Sequence, residues 1–187
     1  PDFPRPALRT YKSRRDDFIL AADIAASVKK TGARYGCSFV TTLMSVFELL
    51  LYKYTGNSDI VIGLPTAGQG AAEMYDLIGH CVNFLPLRSN PDPNLTFAEY
   101  LKKRKSKTLK DYENQQFTLG TLLKELKIER DPSRIPLSPV SFNIDIGMNM
   151  QVRFEGITYK IVYNKRIAET FELYLNITDC EEGYEFQ

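Results

Sequence analysis

The stretch Asp59-Ile-Val-Ile-Gly-Leu-Pro-Thr-Ala-Gly-Gln69 decides the fold reading, together with Ile78-Gly-His-Cys-Val-Asn-Phe-Leu-Pro-Leu-Arg88 downstream of it. Residues 59–63 end in a short continuous apolar run, the pattern of a strand buried on both faces. Gly63, Pro65 and Gly68 after it predict a turn, because proline fixes φ and glycine tolerates positive φ. Residues 79–83 read as a loop that feeds a second apolar strand. Just upstream, residues 38–54 read as a helix. Ser38 is a cap residue, Gly56 a stop, and the apolar positions from Phe39 to Tyr54 cover more than one face, which predicts a helix buried on most sides.

The same alternation extends outward in both directions. Residues 17–20 predict a short strand, and residues 22–30 a helix, with Ile24 and Val28 one turn apart, closing near Gly32. Thr96 and Glu99 form a capping box that opens a helix reaching about residue 113. Thr118 caps a shorter helix with Leu119, Leu122, Leu123 and Leu126 on one side. Residues 129–139 hold three prolines and read as a loop. Strand patterns follow at 140–146, 151–154, 157–163 and 171–178, the last alternating cleanly between apolar and polar positions. Glu181, Glu182 and Gly183 predict a turn, and a return strand starts at Tyr184. The class expected is α/β, with helices early and a mixed, largely antiparallel sheet completed late.

Composition narrows the functional classes. The chain has 187 residues, 43% of them hydrophobic, enough for one domain or two closely packed lobes. A net charge of +1 gives no global field for nucleic acid or an anionic membrane. Three widely spaced cysteines argue against a disulfide framework and for a reducing, cytoplasmic setting. One histidine and no CxxC pair make a metal site an unfavoured reading. No apolar run reaches the ~20 residues of a membrane span. The segment Pro1-Asp-Phe-Pro-Arg-Pro6 lacks a start methionine and a signal core and reads as an interdomain linker.

Each candidate for chemistry has a plainer rival. The residues from Gly63 to Gly68 have GxxxxG spacing after a strand, but Gln69 and Gly70 stand where a phosphate loop needs lysine and a hydroxyl residue, so a structural turn is the better reading. His80 is the one histidine. Acetyl transfer by an HxxxD motif needs aspartate four residues later, where Phe84 stands; Asp76 lies four residues before. Cys81 adjoins His80, but neighbours on an extended segment point to opposite faces, which argues against a dyad. The run Lys102-Lys-Arg-Lys-Ser-Lys107, with Lys110, reads as a solvated helix face opposite Phe97, Leu101, Thr108 and Tyr112; its rival role is docking an acidic partner. No aromatic residues are interleaved with it, which disfavours single-stranded nucleic acid.

In their order, these motifs resemble the C-terminal lobe of a nonribosomal peptide synthetase condensation domain. The resemblance rests on the Arg/Pro-rich opening at Pro4-Arg-Pro-Ala-Leu-Arg-Thr-Tyr11, then Tyr54-Thr-Gly-Asn-Ser-Asp-Ile-Val-Ile-Gly-Leu-Pro-Thr-Ala-Gly-Gln69, the Ile78 to Arg88 stretch, Phe117-Thr-Leu119, and Arg130-Asp-Pro-Ser-Arg-Ile-Pro-Leu137. Gln69 departs from the usual arginine, and His80 and Cys81 stand where aromatic residues are common, a version similar to domains of hybrid polyketide–peptide systems.

The resemblance implies a chloramphenicol acetyltransferase-like two-layer sandwich spanning residues 1–187, with residues 1–15 as the interlobe linker. It implies a partner N-terminal lobe holding the catalytic HHxxxDG motif, which is absent from this chain. Donor and acceptor carrier proteins would dock at opposite mouths of a tunnel between the lobes. They would present thioesters on phosphopantetheine, with no cofactor bound directly, and an amide would form. It further implies that Gly63, Pro65, Gly68, Gln69, Gly79, His80, Asn83, Ser141 and Asn143 lie near the tunnel, with Asn83 and Asn143 as candidates to orient amide or thioester groups. An uncovered lobe interface and an open last strand would favour self-association. A small oligomeric acyltransferase and a non-enzymatic binding module of the same fold remain the alternatives.

Overall fold

A computed structural model describes residues 3–71, 73–147, 154–158, 164 and 166–187. Among them the elements run β1 (Phe18–Ala21), α1 (Ala22–Arg34), α2 (Phe39–Thr55), β2 (Ile60–Ala67), α3 (Gly68–Ala71), β3 (Val82–Ser89), α4 (Phe97–Glu113), α5 (Leu119–Glu125), β4 (Val140–Asp145), β5 (Leu173–Cys180) and β6 (Gly183–Phe186). The strands form one mixed sheet in the order β1-β6-β5-β4-β2-β3. The outer pairs are antiparallel, and the centre, β2-β4-β5, is parallel.

The expected caps are in place. The Ser38 side chain accepts from the Thr41 N–H, and Gly56 ends α2 in the left-handed region at φ 69°. Thr96 and Glu99 satisfy each other's backbone in a complete capping box, and Thr118 caps α5. These bonds replace partners that the first turn of a helix otherwise lacks.

Packing sets the two faces of the sheet. Ile62, Leu64, Leu85, Leu87, Phe142 and Ile177 form the core with Leu43, Met44 and Phe47 of α2. Strand alternation therefore turns Gly63, Pro65, Phe84, Ser141, Asn143, Tyr174 and Asn176 to the other face. The two-layer arrangement of helices on one face is the expected one.

Several local expectations are corrected. Residues 63–67 are not a turn: β2 runs on through Ala67, paired with β3 down to Val82. Pro65 is tolerated because β4 pairs with β2 only at Ile62 and Gly63, so the missing N–H breaks no ladder bond on that side. Neither Gly63 nor Gly68 has positive φ. Gly32 does not close α1, which continues to Arg34. A Cβ on Gly32 would stand 2.1 Å from Thr42 Oγ1, so this glycine permits close approach of α1 and α2. Helix α2 is buried on most sides as expected, at Thr42, Leu43, Met44, Ser45, Phe47 and Glu48, and leaves one exposed stripe of Val46, Leu50 and Tyr54. The last strand is not an open edge: β6 lies between β5 and β1, and the edges are β1 and β3. The final alternating strand begins at Leu173, not Phe171. The strands expected over 151–154 and 157–163 fall largely outside the described residues; Phe154 and residues 155–158 form a turn and coil. No single helix among the described residues is long and apolar enough to cross a membrane.

Candidate functional site

The face turned away from the helices carries the main candidate site. At its centre, Gly63 leaves room for the Phe84 ring of the neighbouring strand; a Cβ there would stand 1.7 Å from that ring. Glycine is required by this close approach rather than by backbone freedom. Phe84 stacks on Phe171, and Phe171 on Tyr174, with centroids 5.3 and 5.9 Å apart. These rings, with Pro65, Val82 and Ser141, wall a cleft of about 510 Å3. The Ser141 hydroxyl donates to the Gly63 carbonyl at 3.3 Å and pins β4 to β2 beneath it.

Beside the cleft, polar side chains cross the sheet in register. Asn143 Nδ2 donates to Asp145 Oδ2 and to Asn176 Oδ1, both at 2.8 Å, and Asn176 Nδ2 donates to Gln187 Oε1 at 3.2 Å. Both amide hydrogens of Asn143 are thus spoken for, so the group it can offer a ligand is its carbonyl oxygen. A second cleft of about 230 Å3 opens at the carboxyl ends of β2 and β4 and joins Pro65, Thr66, Gln115 and Asn143.

Asn83 lies on the opposite face. Its Nδ2 donates to the carbonyls of Gln115 at 2.6 Å and Phe117 at 3.2 Å, and its Oδ1 accepts from the Phe84 N–H at 2.9 Å. It is a clamp that ties β3 to the connection between α4 and α5. Asn83→Ala is expected to destabilise the fold by about 1–3 kcal/mol, since two backbone carbonyls lose a half-buried donor. Urea unfolding followed by circular dichroism checks this.

The remaining candidates lie at the two ends of the β2–β3 connection, Gly68 and Gln69 after β2 and Gly79 and His80 before β3. The Gly68 N–H donates to the Cys81 carbonyl at 2.7 Å, and a Cβ on Gly68 would stand 2.4 Å from that oxygen. The Gln69 carbonyl accepts from the Met74 N–H. Gly79 has open space around it and His80 is exposed. Among the described residues His80 makes no hydrogen bond or ion pair. The connection also exposes Met74, Tyr75, Leu77 and Ile78, the last 99% accessible.

The condensation-domain family model matches residues 1–187 in full. The chain belongs to the condensation-domain family. It is 31% identical over 185 residues to bacitracin synthase 3 and 38% identical over 143 residues to bacitracin synthase 2, both of Bacillus licheniformis. These alignments cover 99% and 76% of this chain but only 3% and 6% of the relatives' length. Among solved structures, a four-domain nonribosomal peptide synthetase bound to AMP and glycine superposes with a TM-score of 0.87 at 17% identity, covering 99% of this chain and 15% of that one. The condensation domain of the monacolin K polyketide synthase gives 0.78 at 20% identity, covering 98% and 44%. At these identities the two structures bear on fold alone.

Two features of this condensation-domain chain escape its sequence pattern. Arg104, in the middle of the basic run, is buried and pairs with buried Glu48 of α2 at 2.9 Å. Tyr100 donates its hydroxyl to the same carboxylate at 2.6 Å. Burial pushes the Glu48 carboxyl above its ordinary range, opposed by the Arg104 charge and by the Tyr100 bond. The expected solvated face is therefore corrected at Arg104. Its spacing from Leu101 and Thr108, three and four residues, places it on the buried stripe and is the signal that marks it.

The second feature is the segment from Arg5 to Lys12, which is tied to Pro132, Ala168 and Glu172. Arg5 makes a bidentate pair with Glu172 at 2.8 Å, Lys12 bridges to Ala168, and the Arg9 N–H donates to the Pro132 carbonyl.

Proposed function

We propose that this chain is the tunnel-wall half of a condensation domain that joins two carrier-bound substrates through an amide bond. The observation that carries this reading is the helix-free sheet face, where an aromatic-walled cleft and a second, smaller cleft lined by Asn143 share Pro65. In the reaction, the acceptor amine attacks the donor thioester carbonyl, the new C–N bond forms, and the C–S bond breaks. The amine gives up a proton and the carrier's thiol leaves with one. The phosphopantetheine arm serves as the substrate's tether, and an apolar cleft suits its thioester end by excluding water.

The Asn143 oxygen is suited to accept an amide N–H of the bound substrate and hold it in line, an effect of orientation. None of this chain's residues is assigned the proton transfer. His80 has no orienting partner among the described residues, and a general base needs placement before pKa. We assign that step to an N-terminal lobe bearing HHxxxDG. The exposed apolar β2–β3 connection and the face of α2 around Val46 and Leu50 are surfaces such a lobe would cover. The lysines that flank Arg104 on α4 remain exposed at Lys102, Lys103, Lys105 and Lys110 and suit an acidic carrier protein.

The test uses donor and acceptor carriers loaded with defined thioesters, with amide product read by mass spectrometry. This chain alone is expected to give none. The chain joined to a condensation N-terminal lobe is expected to give product. Turnover by the chain alone that disappears on His80→Ala would overturn the division of labour.

A further inference from the structure

We propose that the ring series Phe84, Phe171 and Tyr174 selects substrates, and that its cleft takes the aromatic side chain of a carrier-bound acyl or aminoacyl thioester. This rests on the reading of the helix-free face as a substrate wall.

The rings form a near-parallel series, 18° between Phe84 and Phe171 and 24° between Phe171 and Tyr174. They come from two distant segments of the chain: Phe84 from β3, and Phe171 and Tyr174 from the residues just before β5 and its start. The series is therefore built by the sheet and not by one local turn. It is also held in place before any ligand arrives. Phe84 sits in the space that Gly63 leaves, so its ring cannot swing toward the strand without displacing β2. Preorganised rings of this kind bind planar groups by offset stacking, with little ordering cost.

Charge at the rim supports the same class. The Arg166 guanidinium lies 5.2 Å over the Tyr174 ring and closes one end of the series. It is already paired with Glu169 at 3.0 Å. A charged substrate side chain would lose hydration in the cleft and, among the described residues, would have to compete with the Arg166–Glu169 pair at its rim. The other end opens beside Val82, which is 55% exposed. A cleft of about 510 Å3 has room for a phenyl or indole group and part of the thioester arm. Ser141 at its floor spends its hydroxyl on the Gly63 carbonyl, so the floor adds no free donor that would favour a polar side chain.

The experiment has two arms. In the first, saturation-transfer NMR compares binding of the phenylacetyl and acetyl thioesters of N-acetylcysteamine to this chain. Phenylacetyl is expected to bind more tightly, and Phe171→Leu, which keeps an apolar side chain at the site, is expected to weaken it roughly tenfold and the acetyl ester much less. Equal binding of the two esters, or no effect of Phe171→Leu, overturns the proposal.

The second arm uses the chain joined to its N-terminal lobe. Phe171→Leu is expected to raise KM for phenylalanyl donors roughly tenfold and for glycyl donors by much less, with kcat nearly unchanged. Equal losses for both donors overturn the proposal. Selective phenylacetyl binding with no amide formation from any donor would sink the condensation reading and leave the aromatic site standing.

Discussion

Arg104→Ala is expected to cost about 3–5 kcal/mol, because it strands the Glu48 carboxylate in the core. Glu48 is fully buried and Arg104 is its one cationic partner among the described residues. Urea unfolding at neutral pH measures the loss. The pH dependence carries a further signature. Burial already raises the Glu48 carboxyl, and removal of Arg104 takes away the charge that opposes the rise. A folded-state pKa above the unfolded one contributes stability that is present below the unfolded value and is lost as pH rises through the folded value. The variant is therefore expected to recover part of its loss on going from neutral pH toward the ordinary carboxylate range. Replacing both partners with apolar residues, as in Glu48→Leu with Arg104→Met, is expected to recover most of it at all pH values, since no charge then remains to bury. A single variant as stable as the parent at neutral pH would show that water reaches the pair.

Phe142→Ala is expected to cost a similar 3–5 kcal/mol, while Ser141→Ala beside it costs no more than about 1 kcal/mol. Phe142 is fully buried against Phe47 at 6.1 Å, on the helix side of β4. Ser141 is on the other face, with one long bond to the Gly63 carbonyl. The contrast between adjacent positions tests the assignment of faces directly. Comparable losses at both would mean that β4 is turned differently, and Asn143 with it. Chemical denaturation midpoints of the two variants, with unchanged m-values, settle the comparison.

Local chemistry made the helices legible. Ser38, Thr96 and Thr118 are caps because a short side-chain oxygen meets an orphan N–H, and that needs only neighbours in sequence. The mixed sheet could be expected as a class but not in its order, because β2 and β4 pair across a gap that no periodicity records. Residues 63–67 were misleading for a physical reason. Proline and glycine signal a turn where strands are central on both sides, yet here the far half of β2 has β3 alone, and a ring from β3 occupies the space of the missing side chain.

For the site, the position of Ser141 and Asn143 on the helix-free face follows from strand alternation once Phe142 is placed in the core. Asn83 is different. The sequence makes it a second asparagine of the same kind, and only the register shows that it faces the helices and spends its amide on Gln115 and Phe117. Arg104 was hidden by its neighbours, because a run of lysines reads as solvated unless the helical phase of each position is followed separately.

The pairing of β1 with β6 has a bearing on biosynthesis. Leu20 meets Tyr184, about 160 residues later in the chain. At translation speeds of about 5–20 residues per second, the first strand waits on the order of 10–30 s before its partner leaves the ribosome. During that interval Phe18 and Ile19 are an apolar edge with nothing to pair with, a segment that nascent-chain chaperones would be able to hold.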